Sequence, residues 1–501
     1  MASTTGTRTL HHWIGGAPDD TPAGRTGAIT ESASGDVVAR VPFADAALVD
    51  RAVALAAAAA EGWGRASLGQ RAKVMFAFRA LLDEHREELA GLVVREHGKV
   101  HADALGEVQR GIEVAEFACG LGQLLKGEMS AGVSSGVDSY SLRQPLGVVA
   151  GITPFNFPVM VPMWMVPIAL ACGNAFILKP SEQDPSPSLL IADLLRRAGL
   201  PDGVFSVVHG DREAVDAILE HPGIAAVSFV GSTAVARHVH EAGTRHGKRV
   251  QALGGAKNHA VVLPDADLDL AADALVSAGY GSAGQRCMAV SVGVLVGDVA
   301  EPLVARVRER IGRLVVADGT QADADMGPLI SDAHLRRVTG YVDRGVAEGA
   351  TLLVDGRALE AGDRGHFIGP TLFDHVEPGM AIYDEEVFGP VLVLVRRETY
   401  REAMELIAAN AYGNGAAIFT NDGGAARAFE QEVPAGMVGI NVPIPVPMAY
   451  HSFGGWKDSL FGDLHVHGPD GVRFYTRGKV VTRRWPDPSH RGVDLGFPAE
   501  R

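Results

Sequence analysis

The stretch GYGSAGQRCMAVS, residues 279–291, sets Cys287 in a run of small residues with Arg286 directly before it. A thiolate is nucleophilic near neutral pH and later a good leaving group, so a cysteine here can form and surrender a covalent bond to carbon. Taken alone, Cys287 reads equally well as a small buried hydrophobe. Cys119, beside Phe117, and Cys172, in an apolar run, both read that way. Three cysteines this far apart make neither a disulfide framework nor a zinc site. Two other places are shaped for a ligand. AFILKPSE puts Lys179 and Glu182 just past a strand, suited to the hydroxyl and phosphate groups of an adenosine. AAVSFVGSTAVARHV puts Gly231 and Ser232 at a strand-to-helix junction, where free N–H groups and the helix dipole favour phosphate. An ordinary helix cap and a solvated lysine are the plainer readings of each. Their occurrence in one βαβ frame favours a nucleotide, although the usual G-x-G-x-x-G fingerprint is missing.

The elements that must position these residues fall into three stretches. After strand-like pieces near Ala28–Val41, DAALVDRAVALAAAAAEGWG (45–64) is an alanine-rich helix opened by an aspartate. RAKVMFAFRALLDEHREELAGLVVREHGK continues as one or two amphipathic helices ending at a glycine turn. The next helix carries apolar Ala104, Val108, Ile112 and Ala115 on one face. From about Gly147, short β-branched runs alternate with helices, which predicts a doubly wound α/β domain around a parallel sheet, with ligands at the strands' carboxyl ends. A second mixed α/β segment runs from about Ala256 to Gly462. SYSLRQPLGVV (139–149) and VRFYTRGKVVTRRW (472–485) read as strands with a polar side that pair outside the two main units. No internal repeat or low-complexity tract is visible.

Bulk composition narrows the partners. A chain of 501 residues exceeds one ordinary core, so two or three domains are expected. A net charge of -15 argues against nucleic acid and anionic membranes. The longest apolar run, Phe157–Cys172, holds three prolines and is too short to span a bilayer, so it reads as a buried helix. The opening residues lack the order of a secretory signal, and the expected location is cytoplasmic. HVH (465–467) and HVHEAGTRH (238–246) lack supporting ligands, and no metal site is expected.

TPFNFP (153–158), ILKPSE (177–182), SFVGS (228–232), GQRC (284–287) and EEVFGPV (385–391) stand in the order and spacing of the aldehyde dehydrogenase superfamily, which nearly the whole chain resembles. GAKNHAVVLPDA, GSAGQRCMAVS and NVPIPVPMAYHSFGGWKDSLFGDLH are similar to its CoA-acylating branch, the methylmalonate-semialdehyde dehydrogenases of valine and inositol catabolism. The resemblance implies a Rossmann-type NAD domain (1–123 and 146–255), an α/β catalytic domain (256–470) and a small β oligomerisation flap (124–145 and 471–492). A homodimer or homotetramer is implied too. It further implies NAD as cofactor, CoA as cosubstrate, and a malonate or methylmalonate semialdehyde oxidised and decarboxylated to acetyl-CoA or propionyl-CoA.

By the same resemblance Cys287 is the nucleophile, and the Asn156 side-chain amide with the Cys287 backbone N–H holds the oxyanion. Asn156 could otherwise serve only as a turn residue. Phe155, Lys179, Glu182, Gly231, Ser232, Glu386 and Phe388 would bind the cofactor. Glu182, on the adenosine ribose, favours NAD over NADP because a carboxylate repels a 2′-phosphate. Arg110 and Arg286 would take the substrate carboxylate in bidentate fashion. Arg110 fits equally, on local sequence, an i,i+3 surface pair with Glu107.

One expected group is missing. Hydrolytic members carry a glutamate four residues before the lysine that corresponds to Lys257, where it activates water. Here QALGGAKNH puts Leu253 at that position, and neighbouring registers offer only Ala252 or Gln251. Without that base the acyl group must pass to a stronger nucleophile such as the CoA thiolate. Leu253-Gly254 and His451 depart from the branch pattern, the latter at the expected substrate mouth. The alternatives are a hydrolytic dehydrogenase with a base from elsewhere and a silent homologue kept as a binding subunit.

Overall fold

The computed structural model describes residues 8–359 and 364–485, so the expected flap residues 486–492 and the first seven residues of the expected NAD domain lie outside the described part. The alanine-rich segment forms the helix Ala46–Arg65, and Asp45 caps it by accepting from the Leu48 N–H at 2.9 Å. Replacing such a cap by alanine costs about 1 kcal/mol. The following stretch is two helices, Leu68–Glu84 and Arg86–His97. The second stops at Gly98, whose φ of 91° only glycine adopts freely.

Among the described residues the largest sheet has eight strands. Its centre is five parallel strands in the spatial order Arg249–Leu253, Ile224–Val230, Val148–Ile152, Ala175–Lys179, Phe205–Val207. The chain runs outward through Ala175–Lys179 and Phe205–Val207, then returns to the other side of Val148–Ile152. That reversal opens a crevice at the carboxyl ends of Val148–Ile152 and Ile224–Val230, the place where doubly wound sheets take ligands. The proline-punctuated apolar run becomes the helix Met160–Ala171, every residue of which is buried beside this sheet.

A second sheet of seven strands runs Thr351–Val354, Thr371–Asp374, Val391–Arg397, Val290–Val296, Asn258–Val262, Gly415–Phe419, Met437–Ile440, parallel except for the first pair. Its central strands are buried on both faces, as their Val- and Leu-rich sequences require. The short strand Leu460–Phe461 leaves this part of the chain and pairs antiparallel with Arg249–Leu253 at the edge of the first sheet.

The two polar strands pair as expected. Val137–Pro145 and Thr476–Arg484 form a long antiparallel ladder, with Met129–Ser134 on the other side, and much of this small sheet is exposed. Two expected boundaries shift. The 139–149 run is cut at Gly147, whose φ of 112° turns the chain so that Val148 onward enters the large sheet. VRF ends the helix Gly468–Phe474 rather than opening a strand: Pro469 sits in its first turn and the Tyr475 N–H closes the last turn onto the Gly471 carbonyl at 3.0 Å, so the strand starts only at Thr476. The strand-like pieces near Ala28–Val41 are two strands, Arg25–Thr30 and Val37–Phe43, paired antiparallel. No helix among the described residues is long and apolar enough to cross a membrane, and no group of three His, Cys, Asp or Glu among them could hold a metal.

Candidate active site

The ladder of the first sheet sets the ligand-facing positions side by side. Val230 pairs with Leu253, Phe229 with Ile152, and Ile152 with Lys179. The segments leaving these strands, Gly231-Ser232, Thr153–Asn156 and Lys179–Glu182, therefore emerge along one rim. Buried Lys179 donates to Glu182 at 2.9 Å, so the two expected ribose ligands already touch. Ser232 precedes the helix Thr233–Arg245, yet its hydroxyl makes no capping bond. That leaves the hydroxyl and the first-turn N–H groups available to a phosphate. A Cβ on Gly231 would stand 2.5 Å from the tip of the Phe229 ring, so glycine leaves room for that ring where the chain turns out of the sheet. These residues fit a dinucleotide.

Cys287 sits at the end of a tight loop. Ser282, Ala283 and Gly284 all have positive φ, near 54°, 52° and 69°, an arrangement two of them adopt only under constraint. A Cβ on Gly284 would lie 2.1 Å from the Gly389 carbonyl, so the loop rests directly on the 385–391 segment. Buried amides fix the Cys287 backbone. Asn258 Nδ2 donates to the Cys287 carbonyl at 2.9 Å and Asn414 Nδ2 to the same oxygen at 3.0 Å. Asn156 Nδ2 donates to the Gln285 carbonyl at 3.1 Å, which places its amide beside the thiol loop. The half-buried Cys287 thiol is pushed up to about 12 by burial and then by the Glu386 carboxylate, while the N–H groups of Cys287 and Met288 favour the thiolate. The structure thus joins Cys287, Asn156 and the Cys287 N–H in one place.

Glu386 and Phe388 line the same pocket as Cys287, together with Arg286, Lys257 and Asn258. Burial pushes the Glu386 carboxyl up to about 7, against the Ala256 N–H, which it accepts at 2.9 Å, and the nearby Lys257 and Arg337. A Cβ on Gly255 would stand 2.4 Å from Glu386 Oε2, which explains the glycine. Lys257, lowered to about 8 by burial, donates to the carbonyls of Ile382 and Glu385 at 2.6 and 2.8 Å.

Residues 20–481 match the model of the aldehyde dehydrogenase family. The chain belongs to that family. It is 54% identical to the malonate-semialdehyde dehydrogenase of Pseudomonas aeruginosa, covering 98% of this chain and 99% of that one. The malonate-semialdehyde dehydrogenase of Halalkalibacterium halodurans is 47% identical, covering 97% and 100%. Among solved structures, the methylmalonate-semialdehyde dehydrogenase of Oceanimonas doudoroffii superposes with a TM-score of 0.95 at 52% identity, over 96% of this chain and 99% of that one. A Sinorhizobium meliloti structure assigned as methylmalonate-semialdehyde dehydrogenase and complexed with NAD gives 0.95 at 51% identity, over 97% and 99%.

In this aldehyde dehydrogenase the two arginines stand differently from each other. Arg286 is drawn to Asp103, in the first turn of the helix His101–Cys119, and Gly281 clears the space its guanidinium fills. Asp103 is held below the usual carboxylate range: burial alone would raise it, and the Arg286 cation overrides that. Arg110 lies two turns further along the helix, pairs with Glu113 at 2.8 Å and touches Met448 Sδ at 3.2 Å. The alternative i,i+3 surface pair with Glu107 does not form. Glu107 is buried, paired with Lys99 at 2.5 Å, and accepts from the Val159 and Met160 N–H groups at the start of the helix Met160–Ala171. One helix face, Asp103–Glu107–Arg110, thereby secures the nucleophile loop, the segment after Asn156 and the loop around Met448. His451 is exposed and stacks at a tilt on Tyr450.

The position of the hydrolytic base is apolar in three dimensions as well. Leu253 ends its strand with 2% exposure, Ala252 is buried, and Gln251 is committed to Ser228 and to the Leu464 and His465 carbonyls. Sequence reasoning did not reach Lys99, Asp103, Asn258 or Asn414, and it took Glu107 only as a surface partner for Arg110. A signal existed for some of them: Asn258 falls inside GAKNH, and Lys99 follows a glycine stop eight residues before Glu107 on the next helix. Asn414 carries no local mark.

Proposed function

We propose that this aldehyde dehydrogenase oxidises malonate or methylmalonate semialdehyde with NAD and passes the acyl group to CoA, releasing CO2 and acetyl-CoA or propionyl-CoA. The names of its relatives supply the substrate class. The observation that carries the acyl acceptor is the buried Leu253 where a water-activating carboxylate would stand.

The Cys287 thiolate adds to the aldehyde carbon, and the oxyanion formed is held by the Asn156 amide and the Cys287 N–H. Collapse of that adduct expels hydride from carbon and leaves a thioester on Cys287. NAD, held by Lys179, Glu182, Gly231, Ser232, Phe155, Glu386 and Phe388, supplies the hydride acceptor when bound. The substrate's far carboxylate is met by Arg110 and Arg286. In the thioester that carboxylate stands β to a carbonyl, so the C–C bond breaks with its electron pair moving into an enolate. The oxyanion donors stabilise the enolate, CO2 departs, and the α-carbon takes a proton. The CoA thiolate then attacks the thioester and displaces the Cys287 thiolate. The 1–123 and 146–255 segments would form the cofactor unit and 256–470 the catalytic unit. The exposed small sheet, with Met129, Leu142 and Val480 on its surface, would join subunits of a cytoplasmic homodimer or homotetramer.

The deciding experiment follows NADH formation by the purified protein with each semialdehyde, with and without CoA. Sustained turnover only with CoA, yielding the acyl-CoA, is the expected result. Equal turnover without CoA would refute the CoA requirement and point to Glu386 as base. No NADH with either substrate would refute the substrate assignment.

A further inference from the structure

The segment Glu385–Gly389 is fastened almost residue by residue to one face of the helix Asp332–Ala347. Tyr341 donates its hydroxyl to Glu385 Oε2 at 2.5 Å, and Arg344 reaches Oε1 at 3.2 Å. Arg337 donates to the Glu386 carbonyl at 3.1 Å. His334 Nε2 lies 2.7 Å from the Phe388 carbonyl, and a Cβ on Gly389 would stand 2.6 Å from Val338. Positions 334, 337–338, 341 and 344 are the recurring face of an α-helix, so this is one stripe acting on one loop.

Phe388 is the residue in that loop that resists its own conformation. Its φ is 58°, in the left-handed region that a bulky residue avoids and holds only where the surroundings impose it. The groups that impose it meet at its backbone and ring. His334 takes up its carbonyl, its ring meets Phe155 edge-on at 5.9 Å, and His334 packs edge-on against both rings. Burial keeps the imidazole neutral, so Nε2 carries the hydrogen it donates to the carbonyl. Without that bond the loop would relax toward ordinary dihedral angles. Glu386 and Phe388 would then swing away from the crevice.

We propose that His334 is a positioning residue of this enzyme: by holding the Phe388 carbonyl it fixes the left-handed turn that aims Glu386 and Phe388 at the nicotinamide half of the cofactor. The proposal rests on the NAD reading above. In the proposed reaction His334 touches no reacting atom.

The test compares His334→Ala with His334→Gln, whose side-chain amide can donate to the same carbonyl. NADH affinity is read by fluorescence titration of the purified protein with no aldehyde or CoA present. Losing one buried hydrogen bond of this kind corresponds to roughly tenfold. His334→Ala should therefore weaken NADH binding and raise the KM for NAD by about tenfold. The KM for semialdehyde and the KM for CoA should stay within about twofold, and His334→Gln should recover most of the loss. Equal damage to all three KM values, or a glutamine variant as poor as alanine, would reduce His334 to a packing residue and overturn the proposal. So would an alanine variant that binds NADH as the unaltered protein does. The binding titration needs no turnover, so it separates failure of this inference from failure of the substrate assignment. If the unaltered protein bound no NADH, the cofactor reading itself would fall.

Discussion

Cys172 and Cys287 carry the same thiol, and burial pushes both up to about 12. Their surroundings differ in kind. Cys172 follows the helix Met160–Ala171 with its N–H bonded to the Ile168 carbonyl, fully buried, and the charge acting most on it is the Arg71 cation. Cys287 is half-buried on a loop with three left-handed residues, its carbonyl gripped by two asparagines and an anionic neighbour in Glu386. By charge alone, Cys172 has the more favourable partner. What sets the proposed nucleophile, Cys287, apart is instead its access and the amide and N–H donors beside it. Resting acidity does not identify it.

The sharpest way to break the contrast is to exchange the sulfurs. Cys287→Ser should abolish NADH formation by at least a factor of about 1,000, because a hydroxyl without a base is a weak nucleophile. Cys172→Ala should leave kcat unchanged and cost about 1 kcal/mol of stability in urea unfolding, the loss expected for a small buried side chain. Activity lost equally in both would erase the distinction. Next in size, Asn156→Ala should lower kcat by about 100- to 1,000-fold as an oxyanion donor is lost, while alkylation of Cys287 by iodoacetamide continues. A variant that also blocked alkylation would have collapsed the loop rather than lost a donor.

The smallest effect concerns pH. Above about pH 7 Glu386 is charged and opposes the thiolate, so Glu386→Gln should lower the thiol's pKa and speed Cys287 alkylation roughly threefold at pH 8.5. Below pH 6 the carboxyl is already neutral and the two proteins should react alike, with Cys172 silent throughout. A constant ratio across the range would mean that Glu386 does not act through its charge.

The parts legible in sequence were those with local signatures. The alanine-rich helix with its aspartate cap, the β-branched parallel strands and the paired polar strands all announce themselves by period and composition. Boundaries failed where tertiary packing decided, as at Gly147 and at Val472–Phe474. The candidate chemical residues lie in short motifs, which is why Cys287, Asn156, Glu386 and Phe388 could be singled out; Cys287, Glu386 and Phe388 line one pocket, and Asn156 bonds the loop that carries Cys287. The supporting residues were harder, because Glu107 and Asn414 act across 52 and 127 positions of chain. A helix glutamate looks the same from sequence whether it faces water or caps a buried helix. Asp103 was missed for a like reason: its sequence neighbours do not show that it is buried and engages Arg286 from another helix.

The two-residue strand Leu460–Phe461 has a larger meaning than its length. The chain leaves the first sheet after Leu253 and comes back to pair Leu460 with that same Leu253. The entire seven-stranded unit is thus looped out from one point, like a bead threaded on a closed ring of string. Both ends of the loop are sewn at a single seam. A module with such adjacent ends can be exchanged between relatives as one cassette without retracing the sheet that carries it.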